Sequence, residues 1–186
     1  MSSQKEFLRQ VIEILVRSNI PYMVSGSISS SFHGQPRATN DIDIIIDPAR
    51  EDLLDFISSL GPDFYVSREA ALQALENDSM FNVINTQSGW KADLIIRKHR
   101  EFSEMEFSRK THSRIMGLDL QVVSPEDSIL SKLEWTKGRE SSTQLTDVLG
   151  ILMVQWDNLD FDYLNKWAAE LGVKQQLSKL LLKAED

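Results

Sequence analysis

The stretch Asp41-Ile42-Asp43-Ile44-Ile45-Ile46 constrains this chain more than any other. Such an apolar run of β-branched residues predicts a buried strand, and side chains at i and i+2 of a strand leave the same face. The carboxylates of Asp41 and Asp43 therefore converge on one point. Two anions at the mouth of a buried strand repel each other and are costly to desolvate, and a bound divalent cation offsets both penalties. Hard oxygen ligands with open positions suit Mg²⁺, or Mn²⁺, carrying a substrate phosphate. A plainer reading has Asp41 capping the strand and Asp43 in water within an ordinary α/β domain, and the Asp-x-Asp pattern alone does not decide between them.

Composition narrows the chemistry further. A length of 186 residues allows one compact domain, or one domain with a small helical appendage. Cysteine is absent, which excludes disulfides, thiolate nucleophiles and cysteine zinc sites. His33, His99 and His112 show no ligand spacing, so oxygen ligands are left for any metal. No apolar stretch is long enough to span a bilayer and the first residues lack a signal-peptide core, so the expectation is a cytoplasmic protein without a membrane partner. The formal charge of −8 argues against stable binding to duplex DNA.

Hydrophobic periodicity divides the rest. Leu8, Val11, Ile12 and Leu15 predict an amphipathic first helix. Tyr22-Met23-Val24 reads as a short strand, Gly26-Ser27 as a turn into a small-residue helix over 28–32, and 34–40 as a loop rich in turn formers. Asp47-Pro48 predicts an N-cap and first helical position for a helix over 48–60, ended by Gly61-Pro62. Ser67 caps a helix over 68–76. Phe81–Ile84 and Trp90–Ile96 predict a hairpin around Ser88-Gly89, and Lys110–Ile115 with Leu118–Val122 a second one around Gly117. Residues 97–108 are loop or short helix. Ser124-Pro125-Glu126-Asp127 is a capped helix start, and apolar periods at Leu145-Val148-Leu149-Leu152, Leu164-Trp167-Ala168-Leu171 and Leu177-Leu180-Leu181 predict that four helices close the chain. Trp135, Trp156 and Trp167 are spaced as core aromatics. The expected fold class is α/β (α+β): an α/β core over 1–123 with a small mixed sheet flanked by helices, and a C-terminal helical region over 124–186 packed on it.

Val24-Ser25-Gly26-Ser27, an intervening helix and loop, then Arg37-Ala38-Thr39-Asn40-Asp41-Ile42-Asp43-Ile44-Ile45-Ile46, and a later Asp93 inside a strand together resemble the nucleotidyltransferase-fold superfamily. More narrowly, the pattern resembles small bacterial proteins related to the toxin component of abortive-infection systems, a toxin–antitoxin relation. The segment Ser124-Pro125-Glu126-Asp127 through Lys132-Leu133 is similar to the one that opens the helical region of such proteins. Relative to many members, the loop holding Pro36 and Arg37 lengthens the run to the acidic pair.

The resemblance and the residue chemistry point to the same roles. Gly26 lets the backbone approach a phosphate, Ser27 donates its hydroxyl, and the following helix aims free amides and its positive dipole end at an anion. Equally, glycine then serine before a helix is an ordinary turn and cap. Asp41 and Asp43 are expected to ligate one or two metal ions, with Asp93 as third carboxylate, either ligating the metal that activates the attacking hydroxyl or taking its proton. The alternative leaves Asp93 at the edge of a hairpin with its carboxylate in water. Arg37 suits bidentate phosphate binding, and the resemblance places a basic residue near Lys132 at the nucleotide, ahead of Lys137 and Arg139.

The leading expectation is a Mg²⁺-dependent nucleotidyltransferase that moves a nucleoside monophosphate from a nucleoside triphosphate to an acceptor hydroxyl on a protein, an RNA end or a small molecule, releasing pyrophosphate. A partner protein is compatible with it. A second reading is a catalytically inactive nucleotide-binding or protein-interaction module of the same fold, and a third is a metal-dependent phosphohydrolase with water as nucleophile.

Overall fold

A computed structural model describes residues 3–137 and 141–185. Arg139, one of the three basic residues noted near the close of the first C-terminal helix, lies outside the described residues. In chain order the elements are α1 (Gln4–Arg17), β1 (Tyr22–Val24), α2 (Gly26–His33), β2 (Asp41–Ile46), α3 (Arg50–Ser59), β3 (Phe64–Val66), α4 (Arg68–Glu76), β4 (Met80–Asn85), β5 (Lys91–Ile96), α5 (Glu101–Ser108), β6 (Thr111–Ile115), β7 (Leu118–Val122), α6 (Pro125–Trp135), α7 (Ser142–Gln155), a 3₁₀ turn at Trp156–Asn158, α8 (Phe161–Glu170) and α9 (Lys174–Glu185). Among the described residues, no helix is long and apolar enough to cross a membrane.

Backbone contacts sort these elements into two compact units. The first comprises Met1–Val24 with Thr39–Val122, and the second Ser25–Ala38 with Val123–Asp186. The mixed sheet lies in the first, with strand order β3-β4-β5-β2-β1-β7-β6. The chain reaches this order because β2 pairs antiparallel with β1 and parallel with β5, while both expected hairpins, β4–β5 and β6–β7, form as antiparallel pairs. Alternation explains how β2 and β5 settle side by side. Ile42, Ile44 and Ile46 of β2 and Ala92, Leu94 and Ile96 of β5 are buried, together with Phe7, Leu8, Val11 and Leu15 from α1 and Leu53 and Phe56 from α3. Shifting either strand by one residue would turn its isoleucines or leucine to the polar face, so burial fixes the register.

Local structure departs from sequence expectation at a few points. Helix α3 starts at Arg50 behind Ala49, not at Pro48, because the Asp47 carboxylate that would have capped it instead pairs with Arg97 Nε at 2.9 Å. Segment 97–108 contains α5, and β3 adds a strand of three residues that no periodicity announces. Elsewhere the capping chemistry behaves as read: Ser67 accepts from the Ala70 amide and Ser124 from the Asp127 amide.

In the second unit, α2 lies against α7 through an unusually close backbone approach. A Cβ on Gly34 would meet Gly150 C and Ile151 N at 2.7 Å, so only glycine passes there. Gln155 Nε2 donates to the His33 carbonyl across the same crossing. The core of this unit is Ile129, Leu130, Leu133, Val148, Ile151, Leu152, Leu164, Trp167 and Leu177. Trp167 thus packs as a core aromatic, whereas Trp135 is 54% exposed at the last residue of α6, where the period carries it away from Leu133. Trp156 is half-buried against Phe161.

Candidate functional site

In the first unit the acidic residues come together on one face of the sheet. The parallel register of β2 and β5 sets Asp41 opposite Lys91 and Asp43 opposite Asp93, and residues paired in register point to the same side. Asp41, Asp43, Lys91 and Asp93 therefore share one face, opposite the buried isoleucines. The strand bearing Asp93 is interior, flanked by β4 and β2, so the edge position considered for it is not the one it occupies. Its side chain is only 14% exposed, while that of Asp41 is 62% exposed at the strand's mouth.

Two further residues complete this face, and neither was singled out from sequence. Asn82 of β4 stands opposite Asp93 and donates its amide to Asp93 Oδ1. Lys91 Nζ lies 3.1 Å from Asp93 Oδ1, 3.3 Å from Asp93 Oδ2 and 3.5 Å from Asp41 Oδ1. Hydrogen bonding to Asp93, with the added charge of Asp41, raises the Lys91 pKa above the usual lysine range and keeps the ammonium charged. The sequence did carry a signal for Lys91: Lys91-Ala92-Asp93 repeats the i, i+2 spacing of Asp41-Ile42-Asp43.

Among the described residues, no group of three or more His, Cys, Asp or Glu side chains is arranged so that it could hold a metal ion. The donor set on this face is all-oxygen and anionic, and a cationic group already stands against two of its carboxylates. These are the ligands that suit Mg²⁺ in its usual manner, one or two carboxylates with the remaining positions left to water and substrate phosphate.

In the second unit a cationic cluster forms around a buried acid that sequence reading also missed, Asp147 of α7. Arg37 donates through Nε to Asp147 Oδ1 at 2.8 Å and through the terminal guanidinium nitrogen Nη2 to Oδ2 at 3.0 Å, a bidentate fork. Lys132 Nζ donates to Asp147 Oδ2 at 2.8 Å and to Gln144 Oε1 at 2.8 Å, and Ser30 donates to the same carboxylate. Burial pushes the Asp147 carboxyl up, but the bonds and charges of Arg37 and Lys132 outweigh it and hold it below the usual carboxylate range. The signal in the sequence is one acid inside the apolar period Leu145-Val148-Leu149-Leu152.

Arg37 also donates to Ser27 Oγ at the first turn of α2. Gly26 opens that helix with φ +61°, a left-handed conformation glycine adopts without strain, and Ser25 as N-cap makes no side-chain bond to the helix. Gly26, Ser27, Arg37 and Lys132 are thus brought together within the second unit, with two cationic side chains beside a helix N-terminus. Cations and a helix N-terminus are both favourable surroundings for an anion. Lys137, just past α6, lies near Gly172, its Nζ 3.5 Å from where a Cβ there would stand.

No protein-family model matches the sequence, and no curated protein does either. Solved structures do match in fold. The antibiotic-resistance factor ANT(2'')-Ia in solution is similar over 96% of this chain and 97% of its own at 13% identity, with a TM-score of 0.60. An antigenic nucleotidyltransferase-like protein from Paracoccidioides brasiliensis covers 97% of this chain and 94% of its own at 16% identity, TM-score 0.57. The lincosamide antibiotic adenylyltransferase LnuA, in its lincomycin-bound crystal structure, covers 80% and 96% at 13% identity, TM-score 0.53. The mixed α/β architecture is that of the nucleotidyltransferase fold.

Proposed function

We propose that this protein is a metal-dependent nucleotidyltransferase that moves a nucleoside monophosphate from a nucleoside triphosphate to an acceptor hydroxyl with release of pyrophosphate. The observation that carries the reading is the in-register pairing of Asp43 with Asp93 on parallel strands, with Asp41 on the same face. An ordinary buried sheet does not line adjacent strands with acids at matched positions, because like charges directly opposite destabilise it. The nucleotidyltransferase fold of the solved neighbours supports the same reading.

Asp41 and Asp43 would hold Mg²⁺ or Mn²⁺, with Asp93 as the third carboxylate, and the ion supplies charge neutralisation of the triphosphate and of the leaving pyrophosphate. The chain's own residues do the rest. Asp93, fixed by Asn82 and shielded from bulk water, is the base best placed on this face to accept the acceptor hydroxyl's proton. Within the second unit, Arg37, Lys132 and the Ser27 hydroxyl are the groups suited to phosphate oxygens, and Asp147 orients both cations. Gly26, with φ +61° and no side chain, lets the backbone at the start of α2 approach a phosphate. The acceptor is a hydroxyl of a small molecule, a protein or an RNA end. The lincomycin-bound neighbour LnuA favours the first. A toxin-type role rests on the motif resemblance alone.

Incubating the protein with radiolabelled nucleoside triphosphates, Mg²⁺ or Mn²⁺ and fractionated lysate tests the reading. Label transfer lost in Asp41→Asn and Asp43→Asn, by about a hundredfold or more given what ligand-shell changes cost, is expected. Nucleotide binding without transfer would make it a catalytically inactive nucleotide-binding module, and release of free nucleotide without an acceptor a phosphohydrolase.

A further inference from the structure

We propose that Lys91 is a built-in counter-ion that occupies the carboxylate face until a divalent cation takes its place. The inference rests on the reading of Asp41, Asp43 and Asp93 as metal ligands. Lys91 Nζ stands within 3.3 Å of both Asp93 oxygens and 3.5 Å from Asp41 Oδ1. Any metal on Asp93 must therefore share an oxygen with an ammonium, and like charges at that separation repel strongly at the edge of a protein.

The position of Lys91 makes the exchange physically open. It begins β5, its side chain is 36% exposed, and four methylenes let the ammonium swing to water without moving the strand. Asn82, which donates to Asp93 Oδ1, is neutral and has no such quarrel with a metal ion. The consequence is a face whose negative charge is partly offset at rest, so that it binds free metal more weakly than its three carboxylates alone would. A metal that arrives with a triphosphate brings its own compensating ligands and wins the exchange.

Binding of Mn²⁺ alone, followed by the paramagnetic resonance signal of the free ion, reads this directly in the wild type, Lys91→Met and Lys91→Gln, with thermal melting as the check on folding. Lys91→Met and Lys91→Gln are expected to bind Mn²⁺ about tenfold or more tightly than the wild type, since an opposing unit charge is removed beside the ion. Adding Asp43→Asn to Lys91→Met is expected to abolish the gain. Equal or weaker Mn²⁺ binding by folded Lys91 variants overturns the counter-ion role, even where the wild type transfers label. Tighter binding in these variants with no label transfer by any form would leave the counter-ion role standing and remove the transferase reading.

Discussion

Asp147→Ala is the perturbation whose cost follows most directly from the coordinates. The side chain of Asp147 is 5% exposed and that of Lys132 7%, while Arg37 is 33% exposed. Once the carboxylate is gone, Arg37 can turn towards water, but the Lys132 ammonium stays buried and loses its bond to the carboxylate. Removing one partner of a buried pair costs about 3–5 kcal/mol. For a chain of this size each kcal/mol moves Tm by roughly 2–4 °C, so a fall on the order of 10 °C is expected. Urea denaturation followed by tryptophan fluorescence suits the measurement, because three of the four tryptophans, Trp135, Trp156 and Trp167, lie in the unit that holds Asp147 and only Trp90 lies in the other. The double variant Asp147→Ala with Lys132→Met should recover much of the loss, since an apolar pair leaves no stranded charge. The carboxyl is held below its ordinary pKa, so its contribution is present above about pH 4 and lost as pH falls through the lower folded value. The gap between wild type and Asp147→Ala should therefore persist from neutral pH down to about 4 and close only in stronger acid. A cost below about 1 kcal/mol at neutral pH, or a double variant no better than the single one, would refute a structural role for the charge cluster.

Two other perturbations probe the second unit. Arg37→Ala should weaken nucleoside triphosphate binding about tenfold or more in a fluorescent-nucleotide titration, the value of a charge-assisted bond, with Arg37→Lys recovering only part because it loses the fork; unchanged affinity would reduce Arg37 to a structural partner of Asp147. His33 is buried and donates from Nε2 to the Val123 carbonyl, and burial lowers its pKa below the usual histidine value. The unfolded chain then binds the extra proton first, so wild-type stability is full above about pH 6.5 and declines as pH falls below it. His33→Gln should flatten the fall in Tm between about pH 6.5 and 5, and an unchanged slope would show that other groups carry it.

What the sequence made legible follows from which forces are local. The strand Asp41–Ile46, the short strand Tyr22–Val24 and the caps at Ser67 and Ser124 all rest on side-chain period or on a hydroxyl reaching an amide three residues on, and each forms as the pattern dictates. The expected cap at Asp47 fails for a long-range reason, its ion pair with Arg97, and β3 is too short to show a period. The grouping of Ser25–Ala38 with the C-terminal helices depends on a glycine crossing at Gly34 and Gly150 that no local rule encodes.

The candidate site divides along the same line. Period two says that Asp41 and Asp43 share a face and that Lys91 and Asp93 share a face, yet it is silent on whether the two strands are neighbours. Parallel pairing of β2 with β5 supplies that link, and it does more than add a third acid: it sets a lysine against the first carboxylate at the moment it sets an aspartate against the second. An acid count alone would therefore overstate the charge of this face. The Lys91-Ala92-Asp93 spacing is visible in the sequence, but that Lys91 also reaches Asp41 and that Asn82 bonds Asp93 emerge only once the strand order is known.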